Sequence, residues 1–347
     1  MFKKITAVFI IVILAINLAA CAEPKEDKKR YEAEFLMLFD TVTQVIGYTD
    51  NEEEFNEQVN LIYDNLEEYH QLYDIYNSYD GINNVKTIND QAGIAPVKVD
   101  GRIIDLLLFS KEAYEMTGGK VNVALGAVLR IWHEHREAGI EDPENATLPD
   151  MDQLMKASEH TDISKVIIDE ENSTVYLTDP KMSLDVGAIA KGYATEQVSK
   201  MAEKNGFASA LISVGGNVRS IGVRGDGTPW KVGIQNPIDQ SGEDISKVNL
   251  TDAALVTSGV YERYYVVNGK NYHHIIDPDT LYPADYYASV TILCPDSGLA
   301  DALSKVFIMP FDQGLALIES LPDTEAVWVF PNGEVKTSSH FEDYISK

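Results

Sequence analysis

The chain predicts an α+β fold built as one domain. Three observations lead there: segments of period two and of period three to four are interspersed without a regular strand–helix–strand alternation; no low-complexity stretch or linker divides the chain; and no short internal repeat is visible. Once a leader is set aside, roughly 315 residues remain, ample for one large core.

Lys3 and Lys4 followed by the apolar run Ile5 to Ala20 read as a secretory leader, too short for a comfortable membrane span. Leu18, Ala19, Ala20 and Cys21 resemble the lipobox of bacterial lipoproteins. This implies acylation of Cys21, a membrane partner through the lipid, and a place on the extracytoplasmic face of the cell membrane; an ordinary signal peptide ending near a cysteine is the alternative. The expected division is 1–20 signal peptide, 21–33 charged tether and 34–347 folded domain. With Cys21 acylated only Cys294 remains, so no intramolecular disulfide is available and stability must come from the core.

The formal charge is −27, and without Lys3 and Lys4 the balance is 26 basic against 55 acidic side chains. Nucleic acid is excluded as a partner, because such a surface repels a phosphate backbone and no Lys/Arg cluster reverses the field. A polyphosphate ligand would need a metal ion or a local cation.

In chain order, Glu34 to Thr49 alternates as one strand, and Phe55, Val59, Ile62, Leu66, Tyr69, Tyr73 and Tyr76 recur at helical spacing. Those tyrosines are read as packing, with Tyr76 at the helix end left open as a ligand contact. A second helix follows Asp100 as N-cap and stops at Gly118 and Gly119; a third, beyond Asn122, carries Leu125, Val128, Leu129 and Trp132. Glu141 to Pro149 is a polar loop, and Val166 to Thr178 a hairpin turning at Glu171 and Asn172. The next helix runs to about Asn205 and ends at Gly206. Ala210 to Val214 is a strand, strands dominate to Cys294 with a turn at Asn268 and Gly269, and helices follow at Ser297 to Met309 and Asp312 to Ser320 before a hairpin at Asn332 and Gly333.

Four constellations carry possible chemistry. The stretch Thr117 to Asn122, TGGKVN, brings flexible backbone close to a ligand or is simply a helix stop. Ser183 to Ala194, SLDVGAIAKGYA, sets Asp185, Gly187, Ala188 and Lys191 where an apolar strand is expected to turn into a helix, as in a nucleotide-handling turn or an ordinary cap. In Tyr272 to Pro283, YHHIIDPDTLYP, a strand would point His273 and His274 to opposite faces, so at most one lines a site. In Ser297 to Phe307, SGLADALSKVF, Asp301 precedes Ser304 and Lys305 by one turn, a spacing that suits oxygen ligands for Mg²⁺.

Together with FDT at Phe39 to Thr41, SVGGN at Ser213 to Asn217 and the TSGVYERYY run at Thr257 to Tyr265, these segments, in this order from about Phe35 to Phe330, resemble the ApbE family of FAD:protein FMN transferases. The resemblance implies a single ApbE-like, T-fold-related domain with mixed or antiparallel sheets and flanking helices. It implies an Mg²⁺-dependent reaction in which FAD is split at its pyrophosphate, FMN is joined to a threonine hydroxyl of a target flavoprotein, and AMP leaves. Carried over residue by residue, Phe39, Tyr76, Lys120, Val121, Asn122, Asp185, Lys191 and Ile276 would hold FAD. The Ala188 carbonyl, Asp301, Ser304 and Lys305 would fall at the metal, with Asp301 also catalytic, and His274 would handle the acceptor's proton or the transferred phosphate.

Four positions depart from the family pattern: Phe39 where Met is common, Asn122 where Asp is common, Leu281 where Gly is common, and Lys305 at a usual Thr or Asp oxygen. An ammonium cannot donate an electron pair to Mg²⁺. Lys305 therefore swings away, replaces part of the metal's charge, or marks weak or lost transfer. The alternatives are a flavin-binding lipoprotein without transferase activity and an FAD pyrophosphatase releasing FMN and AMP.

Overall fold

The computed structural model describes residues 28–239, 243–261 and 263–347. The leader, Cys21, most of the expected tether and Glu262 of the TSGVYERYY run lie outside the described residues. Among those described, no helix is long and apolar enough to cross a membrane.

The chain opens with β1 (Lys29–Leu36) and β2 (Val42–Thr49), an antiparallel hairpin where one strand over Glu34 to Thr49 was expected. The break is made by left-handed backbone at Met37, Phe39 and Asp40, with φ of 82°, 54° and 53°; alternation of side chains cannot register such a turn, because its residues keep the apolar pattern. The first strand also begins inside the expected 21–33 tether. Its Lys and Glu side chains face solvent and mask the alternation of Tyr31, Ala33 and Phe35, which pack on the core.

Next come α1 (Glu52–Tyr73), α2 (Val85–Asp90), β3 (Val97–Lys98), α3 (Gly101–Met116), α4 (Gly126–Glu141) and α5 (Met151–Ser158). Asp100 caps α3 by accepting from Arg102 N at 2.9 Å, as its residue type predicts. Tyr76 lies three residues beyond α1 rather than on it. The predicted hairpin forms as β4 (Val166–Asp169) and β5 (Thr174–Leu177), with β3 added to make a three-stranded sheet. Helix α6 spans Ala190–Lys204 and ends at Asn205 and Gly206.

The remaining strands are β6 (Ala210–Val214), β7 (Asn217–Ile221), β8 (Trp230–Gln235), β9 (Asp244–Leu250), β10 (Ala254–Gly259), β11 (Tyr264–Val267), β12 (Lys270–His273), β13 (Ser289–Cys294), β14 (Glu325–Val329) and β15 (Val335–Thr337). Between β13 and β14 stand α7 (Ser297–Leu303) and α8 (Phe311–Glu319). The helix expected to reach Met309 tightens into a 3₁₀ segment at Ser304–Ile308.

One antiparallel sheet of eight strands organises the molecule, in the order β1-β2-β6-β7-β10-β13-β14-β15. Its central strands are apolar on both faces. Val45, Ile212 and Val214 meet α1, α3 and α6, and Val256, Ile292 and Trp328 meet α7, α8 and Phe307. Their sequence neighbours Ile46, Leu211, Leu255, Leu293 and Val327 point the other way, against Trp230, Ile234, Val248 and Leu250 of the β8–β9 hairpin. A fourth cluster joins α4 and α5 to the β11–β12 hairpin through Leu125, Trp132, Leu154, Tyr265 and Ile276. Cys294 is fully buried, and burial pushes its thiol up to about 12, which makes it an inert core residue.

Candidate functional site

The β1–β2 turn, the β6–β7 turn, the segment after α1, α4, the approach to α6, the segment after β12 and the start of the 3₁₀ segment converge on one cavity of about 740 Å³. That volume suits a dinucleotide-sized ligand. The wall begins at the FDT segment. Phe39 is held with φ of 54° by a hydrogen bond from its backbone N–H to His70 Nδ1 at 3.2 Å and by edge contact with that ring. Three left-handed residues in four positions store backbone strain at the cavity edge. Thr41 packs against Gly215, whose φ is 55°; a Cβ there would come within 2.5 Å of Thr41 Oγ1, so the SVGGN turn requires glycine.

Asp74 builds the next part. It accepts from Tyr76 N (2.6 Å), Asn77 N (3.0 Å), Asn77 Nδ2 (3.0 Å) and Tyr79 Oη (2.8 Å). Burial acts to raise its pKa, and these bonds outweigh that and hold it below the usual carboxylate value. The knot presents Tyr76, 55% exposed, over the ring of His133 at 5.2 Å between centroids. His133 Nδ1 in turn accepts from Arg136 Nη2 at 2.7 Å. The sequence reading missed His133, Arg136 and Asp74. A signal was present for Arg136: it continues the Leu125, Leu129, Trp132 stripe that faces inward.

The two segments after α3 and before α6 run side by side, joined by a parallel bridge between Leu125 and Ser183 and by Asp185 N to Val123 O at 2.8 Å. Asn89 of α2 pins them, donating to Leu184 O and accepting from Leu184 N. In place of the expected strand, Ser183 makes a single bridge, 184–186 is irregular, and Gly187 to Ile189 is a turn closed by Ile189 N to Val186 O at 3.0 Å. Asp185 is not the helix cap: its Oδ1 accepts from Gly187 N at 2.9 Å, five residues ahead of Ala190, where α6 starts. Withdrawal from bulk water raises the Asp185 pKa.

The carboxylate that caps α6 comes from α7. Asp301 Oδ2 accepts from Gly192 N at 2.9 Å and from Asn217 Nδ2 at 3.0 Å, satisfying an N–H of the first turn that α6 cannot pair itself. Close approach makes this possible, since a Cβ on Gly192 would lie 2.3 Å from Asp301 Cβ. Next to Asp301, Ser304 is buried; its hydroxyl donates to the Asp301 carbonyl at 2.6 Å and lies 2.8 Å from Ser258 Oγ. Lys305 Nζ donates to Ser304 Oγ at 3.0 Å and reaches Ser258 Oγ at 3.4 Å. Lys305 does not swing away: its side chain lines the cavity.

The two histidines separate as expected. His273 is buried, bonded through Nε2 to Ala284 O at 2.6 Å and accepting at Nδ1 from Ile275 N at 3.2 Å, a structural role. His274 opens onto the cavity, with Nδ1 against the Arg263 carbonyl at 3.2 Å. A carbonyl only accepts, so Nδ1 carries the proton and Nε2 is left as the basic nitrogen. Desolvation by the surrounding protein lowers the His274 pKa to about 3; the Arg263 carbonyl opposes this, and the positive charges of Lys305, Lys191 and Arg263 reinforce it.

Of the residues expected to bind FAD, Phe39, Tyr76, Lys120, Asn122, Asp185, Lys191 and Ile276 all line the cavity, as do Ala188, Asp301 and His274. Val121 is fully buried in the core and Ser304 lies behind Lys305, so neither faces it. Two assignments change character. Lys120 is neutralised by Asp277 Oδ1 at 2.7 Å and Asp279 Oδ2 at 2.8 Å; desolvation acts to lower its pKa, and the two carboxylates outweigh that and raise it. Asn122 is engaged with Thr161 O and Ala124 N and so shapes the loop. Leu281, at the position where Gly was expected, has a φ of 61°; its carbonyl accepts from Trp132 Nε1 at 2.8 Å, which fixes the strained turn.

The set expected at Mg²⁺ does not fit a resident ion. Hard Mg²⁺ needs several free oxygens in octahedral array. Here Asp301 Oδ2 is taken by two hydrogen bonds, which leaves Oδ1 as its one oxygen for an ion; Ser304 directs its proton at a backbone carbonyl, and Lys305 donates to the Ser304 oxygen and brings a positive charge. Among the described residues no group of three His, Cys, Asp or Glu side chains is placed to hold a metal.

The comparisons with known proteins agree with this architecture. The ApbE family profile matches residues 39–328. The FAD:protein FMN transferase of Treponema pallidum (strain Nichols) is 35% identical over 273 residues, covering 74% of each chain. That of Haemophilus influenzae is 28% identical over 355 residues, covering 98% of each. The crystal structure of the ApbE protein from Thermotoga maritima superposes with a TM-score of 0.80 at 27% identity, covering 92% of this chain and 100% of that one. With the profile spanning FDT to β14 and the same fold over nine-tenths of its length, this chain belongs to the ApbE family.

Proposed function

We propose that the protein is an FAD:protein FMN transferase that joins FMN to a threonine hydroxyl of a target flavoprotein and releases AMP. The observation that carries the reading is His274, neutral and with Nε2 free, on a cavity wall shared with the ammonium groups of Lys191 and Lys305. The threonine oxygen attacks the phosphorus bearing riboflavin while its proton passes to His274 Nε2. The bond from that phosphorus to the bridging oxygen breaks, and AMP departs with that oxygen. Positioning and charge neutralisation dominate such a transfer. Lys191 and Lys305 meet the charge on the diphosphate, and Tyr76 with His133 offers an aromatic platform for a ring of the dinucleotide. The leader and Cys21 support export and a lipid anchor on the outer face of the cell membrane, where the target would be met.

The test incubates the purified chain with FAD and a threonine-containing flavoprotein domain, with Mg²⁺ and with EDTA, and follows the domain's mass. A gain equal to one FMN less one water is expected, since AMP leaves with the bridging oxygen. AMP release without labelling would replace transfer by hydrolysis of FAD, and FAD binding with neither would leave a binding protein.

A pH profile gives a second check. Because the His274 pKa is lowered, its neutral, basic form persists far below the ordinary value near 6.5. The kcat/KM for transfer is expected to stay flat on acidification from about pH 7.5 to about pH 5.5. An acid limb at the ordinary histidine value would show that His274 is not the depressed base described here.

A further inference from the structure

The cavity's positive charges are not equivalent. Lys120 is neutralised by Asp277 and Asp279, and Arg136 lies 3.6 Å from Glu137. Lys191 and Lys305 form no ion pair among the described residues, although the chain as a whole carries −27. Lys305 is tethered by hydroxyl oxygens alone, Ser304 and Ser258. Burial lowers its pKa, Asp301 partly restores it and Lys191 repels it, so the Asp301 carboxylate offsets only part of the charge that the two lysines bring to the site. An anion bound beside them would relieve that repulsion. Their combined charge equals that of one divalent ion, and they stand beside the Asp301 and Ser304 set, which does not fit one.

We propose that Lys305, with Lys191, is a built-in counter-cation for the ligand's diphosphate, so that this chain binds flavin dinucleotide without a divalent metal. The proposal deepens the transferase reading and rests on it for the identity of the ligand. A phosphate oxygen would take the open coordination of the Lys305 ammonium, a charge-assisted hydrogen bond in a poorly solvated site.

Binding of FAD and of inorganic pyrophosphate to the purified chain, by titration calorimetry in EDTA and in excess Mg²⁺, tests it. FAD affinity is expected to change by less than about twofold between the two buffers, and Lys305→Thr to weaken it about tenfold or more in EDTA. Mg²⁺ should restore much of that loss and raise turnover in the Thr variant, since its hydroxyl supplies an oxygen donor. Lys305→Arg should retain metal-free binding, and thermal melts exclude misfolding. Wild-type FAD binding that requires Mg²⁺, or a Thr variant unchanged in EDTA, would overturn the proposal while leaving the transferase reading intact. Pyrophosphate binding that depends on Lys305 in EDTA, without FAD binding, would keep the counter-cation and remove the flavin. Failure of both probes would overturn both.

Discussion

His274→Ala is expected to lower FMN transfer about 10²- to 10⁴-fold, the range for losing a positioned general base, while FAD affinity changes by less than about threefold. The asymmetry follows from what the side chain does. Its one hydrogen bond in the fold goes to the Arg263 carbonyl, and the backbone N–H of the same residue also reaches that carbonyl at 3.1 Å. The local turn therefore survives truncation, and only the free Nε2 disappears. Target mass against time, with a flavin fluorescence titration of the same variant, separates the two effects. Retention of more than about a tenth of the rate would remove His274 from the chemistry. The neighbouring substitution His273→Ala should behave oppositely. It removes a bond to Ala284 and an edge contact with Phe307, so it should reduce stability before it touches the rate.

The second large effect is expected at Gly192→Ala. A methyl group there would sit 2.3 Å from Asp301 Cβ and 2.5 Å from the Ser297 carbonyl. The second obstacle is backbone and cannot rotate aside, so α6 and α7 must part. Overpacking of this kind costs about 1–3 kcal/mol, and separation also lengthens the bond from Gly192 N to Asp301. A melting temperature lower by several degrees should be accompanied by loss of transfer, because Asp301 and Lys305 move with α7. Gly101→Ala is the control: at the start of α3, nothing lies within 4 Å of the place its methyl group would take. Wild-type stability and transfer in Gly192→Ala would show that the α6–α7 contact yields more readily than its geometry indicates.

Local chemistry made much of the architecture legible. Asp100, Gly206 and the turns at Asn172, Asn268 and Asn332 each act through hydrogen bonds or left-handed backbone within a few residues, and each stands where the sequence places it. Elements with little internal signal escaped: α2 is six residues long and α5 eight, and both owe their shape to packing and caps. The turn at Met37 to Asp40 escaped because Met37 and Phe39 are not residues that advertise left-handed backbone and Asp40 alone is a weak signal. At the site, the sequence identified most of the cavity's lining through the family pattern. It did not reveal that Lys120 is matched by carboxylates 157 and 159 residues away, or that Asp301 caps a helix other than its own. Both are long-range pairings, which no window along the chain contains. The same holds for the tilted ring contact between Tyr76 and His133.

The large sheet adds its strands in the order in which they are synthesised, with the α-helices and the smaller sheets inserted between neighbours. A nascent chain can thus extend the sheet one strand at a time without threading, although each insertion must close a loop before the next strand pairs. The ligand cavity follows a different schedule. Its first wall is made near Phe39 and its last at Asp301 and Lys305, so a chain that has formed β1, β2, β6, β7 and β10 still has no complete phosphate pocket. In a refolding experiment, flavin capture would accordingly mark arrival at the finished molecule, well after circular dichroism reports the strands.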